Sequence, residues 1–324
     1  MRRLLGYVLA VAGAVLAPAT PAFAHAGDTT EVSSYRVTVT GLSNPMDGLR
    51  VRVVEGGARL ELSNDTGRAV EILGYSGEPY LEVRPDGTYQ NTGSPAAYLN
   101  ETRDGATAVP ATADPTAAPT WRKISGDTTV RWHDQRTQWT ESTLPPGVRD
   151  DRPHRLREWT VPLRDQVRTF DIQGTLDYEP PPPAWAWWGG AALIGLAVTL
   201  VAARWPGSVR ALALIAGLPT LGYAVARALD GGGWSGVPIV AGLLACAAAV
   251  RHPPFYLALS GFVLAAFAGF GAADVFFAAV LPAAGPGWAA RAAVAIAIGA
   301  GAGLALTGVL RMRAAVPAPT TTAA

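Results

Sequence analysis

Cysteine, lysine and histidine are nearly absent from this 324-residue chain, which has a single Cys, a single Lys (Lys123) and four His. With Cys246 alone no intramolecular disulfide can form, so any exported part must fold on its own apolar core. Charge is also sparse: 16% of residues are charged, against about a quarter in a typical soluble domain. The charge is unevenly placed. From residue 184 onward there are two acids, Asp230 and Asp274, against seven arginines, whereas residues 25–183 hold 23 acids and 17 basic residues, a balance of −6. The formal net charge of +1 is therefore a cancellation between two dissimilar halves. No H-E-x-x-H, paired C-x-x-C, phosphate-binding loop or basic stripe occurs, which argues against a zinc hydrolase, a nucleotide-binding enzyme and a nucleic-acid binder. Glycine, serine and glycine at 74, 76 and 77 fall short of the G-x-S-x-G nucleophile elbow, and the segment reads as a turn. The chain reads as non-enzymatic.

The polar half begins with an address. Arg2 and Arg3 precede an apolar run over 4–16, and Ala22-Phe23-Ala24 has the small-x-small form of a signal-peptidase site. Residues 1–24 are expected to be a cleaved export signal, which makes His25 the mature N-terminus. The second half holds five apolar stretches, 185–203, 211–229, 234–250, 255–273 and 288–310, each approaching the length of a membrane span. If the polar half is outside the cell membrane, one set of connections carries Arg204, Arg210, Arg251, Arg311 and Arg313 and the other only Arg227 and Arg291. This is the bias of the positive-inside rule. It predicts a plasma-membrane protein of about five spans with a cytoplasmic tail, 311–324. Arg227, Asp230, Asp274 and Arg291 fall near the outer span ends, where interfacial ion pairing is expected. Twenty-five of the 26 basic residues are Arg, a bias that, with the Ala and Gly content, points to a high-GC bacterial genome.

Residues 25–178 read as short β segments. Tyr35 to Thr40 alternates apolar and polar residues, 49–55 and 58–62 flank Gly56-Gly57, and 80–83 and 88–90 flank Arg84-Pro85-Asp86-Gly87. These are hairpin signals. Further strands are expected at 128–132, 158–163 and 167–176. Seven to nine short strands without a disulfide predict an immunoglobulin-like β-sandwich, and the prolines of 179–184 predict a stiff spacer to an all-α transmembrane bundle.

One segment is dense in chemistry: Trp132-His133-Asp134-Gln135-Arg136-Thr137-Gln138-Trp139. Aromatic and charged groups in such a cluster are typical of binding surfaces, so Trp132, Asp134, Arg136 and Trp139, with Tyr75 and Tyr80, are the candidates for contacting a protein or envelope partner. The motifs Gly74-Tyr75-x-Gly77-Glu78-Pro79-Tyr80-Leu81, Ser94-Pro95-Ala96-x-Tyr98-Leu99-Asn100, Trp132-His133-Asp134 and Glu158-Trp159-x-Val161-Pro162-Leu163 resemble those of a family of uncharacterised actinobacterial exported multi-pass membrane proteins. In that family the cluster reads W-H-D-H-R-x-H-W. The resemblance implies a copper or zinc site, with Gln135 and Gln138 standing here where two of its histidines would be. A reduced copper site remains as the alternative function, in which the amine and imidazole of His25 chelate the ion and His133 adds a third nitrogen.

Overall fold

The computed structural model describes residues 32–141 and 143–315. The export signal expected at 1–24, His25 and the tail beyond Ala315 lie outside the described residues. The chain divides into two compact units, at residues 30–180 and from 181 onward.

The first unit is a β-sandwich of ten antiparallel strands. One sheet has the order β1 (Tyr35–Leu42), β10 (Arg168–Tyr178), β9 (His154–Asp165), β4 (Val70–Leu73), β5 (Pro79–Arg84), β6 (Gly87–Asn91) and β7 (Trp121–Ser125). The other has β2 (Leu49–Val54), β3 (Arg59–Asn64) and β8 (Thr129–Trp132). A short helix, α1 (Ala96–Leu99), follows β6. The alternation seen in the sequence sets the register, because residues two apart share a face. Trp159, Val161 and Leu163 of β9 and Phe170, Ile172 and Leu176 of β10 turn inward onto Val70, Ile72, Leu81 and Val83, and meet Leu60, Leu62, Val130 and Trp132 of the smaller sheet. Each fully buried aliphatic side chain contributes about 2 kcal/mol. The Arg84–Gly87 hairpin closes as expected, with Arg84 paired to Gly87. The turn at Gly56-Gly57 is longer than the expected two residues. Val54 pairs with Arg59, and Glu55, Gly56 and Gly57 all take positive φ.

The second unit is helical: α2 (Ala184–Arg204), α3 (Val209–Leu229), α4 (Gly236–Ala247), α5 (Pro254–Val263) and α6 (Gly287–Ala314). After α5 the helix changes to a π turn over Leu264–Gly269 and a 3-10 turn over Phe270–Phe276. Four stretches are long and apolar enough to cross a membrane: Ala184–Arg204, Pro206–Leu229, Pro254–Phe276 and Gly287–Ala314. The protein is thus a multi-pass membrane protein. Its α4, at 12 residues, is shorter than the span expected at 234–250, and close contacts between the helices give their relative directions. Gly195 and Gly303 of α2 and α6 abut, as do Ala191 and Gly299, and Arg311 Nη2 donates to the Ala202 carbonyl at 3.3 Å. Contacts therefore rise together in number, and α2 and α6 are parallel. Gly217 of α3 meets Cys246 while Leu221 meets Gly242, so α3 and α4 are antiparallel. Gly308 meets Ala258 while Gly261 meets Ala305, so α5 and α6 are also antiparallel. The Ala284 amide bonds to the Ala226 carbonyl, which puts the end of α3 beside the start of α6. These relations run α4 in the same direction as α2 and α6, between the end of α3 and the start of α5.

This arrangement gathers Arg204, Arg210, Arg251, Arg311 and Arg313 at one end of the bundle and Arg227, Asp230, Asp274 and Arg291 at the other. Arg291 is buried, but its work differs from the expected ion pairing. Its Nε donates to Val275 O at 2.9 Å and its Nη2 to Ala278 O and Ala279 O at 2.6 and 3.0 Å. Where the helix breaks after Phe276, carbonyls lose their intrahelical partners, and in a bilayer no water replaces them. Arg291 does so.

Candidate functional site

The motif segments of the sandwich converge on a buried polar node with the Asp134 carboxylate at its centre. Asp134 lies just past β8, with no exposed surface. It caps the 3-10 turn Gln135–Thr137 by accepting the Arg136 amide at 3.1 Å on Oδ1. Arg136 returns to the same carboxylate with two further bonds, Nε to Oδ1 and Nη2 to Oδ2, both 2.8 Å. The Trp132 indole donates to Oδ2 at 3.1 Å. The carboxylate is therefore satisfied from both neighbours at i−2 and i+2.

Arg136 then ties this turn to another part of the chain. Its Nη2 donates to Leu73 O at 3.0 Å and its Nη1 to Gly74 O at 3.4 Å, while its guanidinium lies 4.9 Å from the centre of the Tyr75 ring. The Tyr75 hydroxyl accepts the Gln135 amide at 3.0 Å and donates to Asn100 Oδ1, and Gln135 Nε2 reaches Leu99 O at 3.2 Å. Glu78, also buried, accepts the Ser94 hydroxyl at 2.7 Å and the Ser76 amide at 2.9 Å. Gly74 makes room for this: a Cβ there would collide with the Glu78 carboxylate. The three motifs, 74–81, 94–100 and 132–138, are thus parts of one polar node. Asn100 Nδ2 is buried in it, with no hydrogen-bond partner among the described residues.

Electrostatics within the node favour the Arg136 cation. Burial opposes the Arg136 cation, but the hydrogen bonds and charge of Asp134, with Tyr75 and Glu78 nearby, outweigh it and raise its pKa. Burial, followed by the Asp134 charge, pushes the Tyr75 hydroxyl above its ordinary value, and burial pushes Tyr80 the same way. Neither tyrosine is poised to act as a base. Ser94 and Glu78 sit at hydrogen-bond distance, but both are buried and so closed to a substrate.

Of the residues expected to face a partner, Tyr75, Tyr80, Trp132, Asp134 and Arg136 come together, but inward. Tyr80 and Trp132 are each 3% exposed and belong to the sandwich core. Trp139 stands apart from them, half-buried, with its ring 6.3 Å from that of Tyr35 and its Nε1 donating to Thr143 O at 3.0 Å. A binding surface needs solvent-facing groups, and this cluster has few. Glu78, Ser94 and Asn100 complete the node; all three stand within the motif strings, but their polar side chains give no spacing signal in the sequence.

Among the described residues the donor set does not fit a copper or zinc ion. His133 is buried; its Nδ1 donates to Ala58 O at 2.9 Å and its Nε2 accepts Arg59 Nε at 3.1 Å, so both ring nitrogens are engaged. Gln138 donates to Gly57 O at 2.7 Å and accepts Arg103 Nε at 2.9 Å. Among the described residues no group of three or more His, Cys, Asp or Glu is placed to hold a metal. His25 lies outside them.

Two measurements on the purified full chain probe the node. Asp134→Leu leaves Arg136 buried without its counter-charge and is expected to cost about 3 kcal/mol or more in denaturant unfolding, whereas Asp134→Leu with Arg136→Met is expected to cost less than the single change. Costs that simply add would show that the pair is not coupled. His133 gives a pH signature. Burial, only partly offset by the Ala58 bond, and the charges of Arg59 and Arg103 hold its pKa below the ordinary imidazole value. The unfolded chain then takes up the proton first, so its stabilising contribution is complete above about pH 6.5 and declines as pH falls through the folded-state value. His133→Gln is expected to flatten that decline in a melting-temperature series from pH 7.5 to 5. No protein-family description matches the chain, and no curated protein or solved structure matches it, so the role of the node is read from its geometry.

Proposed function

We propose that this is a non-enzymatic cell-envelope membrane protein whose β-sandwich faces the extracytoplasmic side and binds a protein partner in an open cleft between the two sheets. The five arginines at one end of the bundle, opposite the start of α2, support a cytoplasmic position for that end. The sandwich then lies outside the membrane. The reactive-looking groups of its motifs are consumed in the node, which favours binding over catalysis.

The observation that carries the reading is the cleft. The last strand of each sheet, β1 and β2, borders it, so two strands that among the described residues pair on one side only face a common opening of about 460 Å³. Val39, Leu42, Leu49 and Val51 supply apolar lining, and Arg50 and Arg52 supply donors. Glu61, beneath them, is bonded at 2.6 Å by both Arg52 and Arg131, which outweigh the effect of burial and hold its carboxyl below the usual range. A strand edge with free amides and carbonyls recruits an extended peptide by main-chain bonding, and alternate side chains give selectivity. The bulge of β1 between Val39 and Gly41 leaves Thr40 exposed beside this edge. The partner is accordingly an extended segment with apolar side chains on one face. The copper alternative gains no support from His133.

A photo-reactive residue placed at Thr40 or Arg52 in cells is expected to give one discrete protein adduct, abolished by Val51→Glu. The same residue at Val167, 92% exposed in the β9–β10 turn, is expected to give none. Equal labelling at all three positions, or none at Thr40 and Arg52, would contradict the reading.

A further inference from the structure

We propose that the helical bundle holds an anionic phospholipid at the end where α4 stops, with an acyl chain in an apolar hollow and the phosphate on Arg251. The 12 residues of α4 rise about 18 Å at 1.5 Å per residue, whereas a hydrocarbon core is about 30 Å thick. Helix α4 nonetheless runs between the end of α3 and the start of α5, in the same direction as α2 and α6. The shortfall is visible at its C-terminal end, where a hollow of about 420 Å³ is lined by Ala247, Val250, Arg251, Pro253 and Tyr256.

The walls are set for an acyl chain. The chain leaves α4 in tight turns, with the Val250 and Arg251 amides both bonded to Ala247 O at 3.0 and 3.1 Å. Val250 remains 78% exposed. The Tyr256 hydroxyl donates to Leu244 O at 3.0 Å, which leaves its ring as wall. An apolar hollow offers water too few partners, so in a membrane it fills with hydrocarbon.

Charge selects the headgroup. Arg251 is exposed at this hollow and makes no ion pair among the described residues. The helical unit has two acids, Asp230 and Asp274, and both lie at the opposite end of the bundle. Arg251 therefore stands at an end of the bundle with no carboxylate side chain of its own unit beside it, and a phosphate supplies the counter-charge. A basic pocket between transmembrane helices is the setting in which anionic lipid headgroups are bound. A phosphodiester at Arg251 with its acyl chain under α4 answers both deficits.

The test is native mass spectrometry of the full chain in mild detergent, with phosphatidylglycerol and phosphatidylcholine added in equal amounts. Phosphatidylglycerol is expected to be retained in preference. Arg251→Ala is expected to lower its retention about five-fold, the share of one basic residue in binding an anionic lipid, while Arg313→Ala, at the same end but outside the hollow, leaves it unchanged. Ala247→Trp fills the hollow without charge change and is expected to reduce retention while the helical circular dichroism stays the same. Equal retention of the two lipids, equal losses in Arg251→Ala and Arg313→Ala, or undiminished retention in a folded Ala247→Trp protein would each overturn the proposal.

Discussion

The Asp134 carboxylate has no solvent, and the sandwich is arranged so that it does not need any. An isolated buried carboxylate costs many kcal/mol, and an ion pair offsets that cost only when the remaining hydrogen-bond positions are also filled. Here Arg136 binds both oxygens, its own amide and the Trp132 indole take further positions, and its guanidinium goes on to the carbonyls of Leu73 and Gly74. A pair two residues apart in sequence thereby fastens the end of β8 to the end of β4. Tyr75, Asn100 and Gln135 extend the same fastening to the segment after α1.

The helical unit solves a related problem with one residue. Its break after Phe276 leaves backbone carbonyls without helical partners, and Arg291 supplies three bonds from a position inside the next helix. Asp134 and Arg291 are both charged groups in settings that exclude water, and each is held by the backbone or by a neighbour rather than by a distant ion. The close approach of α6 to α2 and α5 is the apolar counterpart. Gly299, Gly303, Gly261 and Gly308 stand where any Cβ would strike a neighbouring backbone, which allows the van der Waals contact that joins helices in lipid.

Much of this organisation is legible in the chain itself, because burial writes a period. Alternation along 154–165 and 168–178 places Trp159, Val161, Leu163 and Ile172 inside, and the β-sandwich follows; the long apolar stretches likewise announce the bundle. The Arg84–Gly87 turn is set by Pro85 and Gly87. The short α4 is not legible, since residues 234–250 are apolar beyond the 12 that are helical, and composition does not mark where a helix ends. Trp132 to Trp139 misleads for a physical reason. Aromatic and charged residues are the currency of binding surfaces and of buried polar nodes alike, and the difference is whether partners such as Leu73 O and Asn100, distant in sequence, come to meet them. No local spacing contains that information.

The fold therefore moves attention from the conspicuous cluster to plainer surfaces. The cleft between β1 and β2 is made of ordinary valines, leucines and arginines, and carries no motif. The node, in this account, holds the sandwich together and leaves the cleft edges open. Hydrogen exchange measured on the full chain and on Asp134→Asn tests that account most directly. Loss of protection in all three segments, 73–81, 94–100 and 132–138, is the expected result, since the Asp134–Arg136 pair ties 132–138 to Leu73 and Gly74, and Tyr75 and Gln135 carry the link on to Leu99 and Asn100. Loss confined to 132–138, with the other two segments as protected as before, would contradict it.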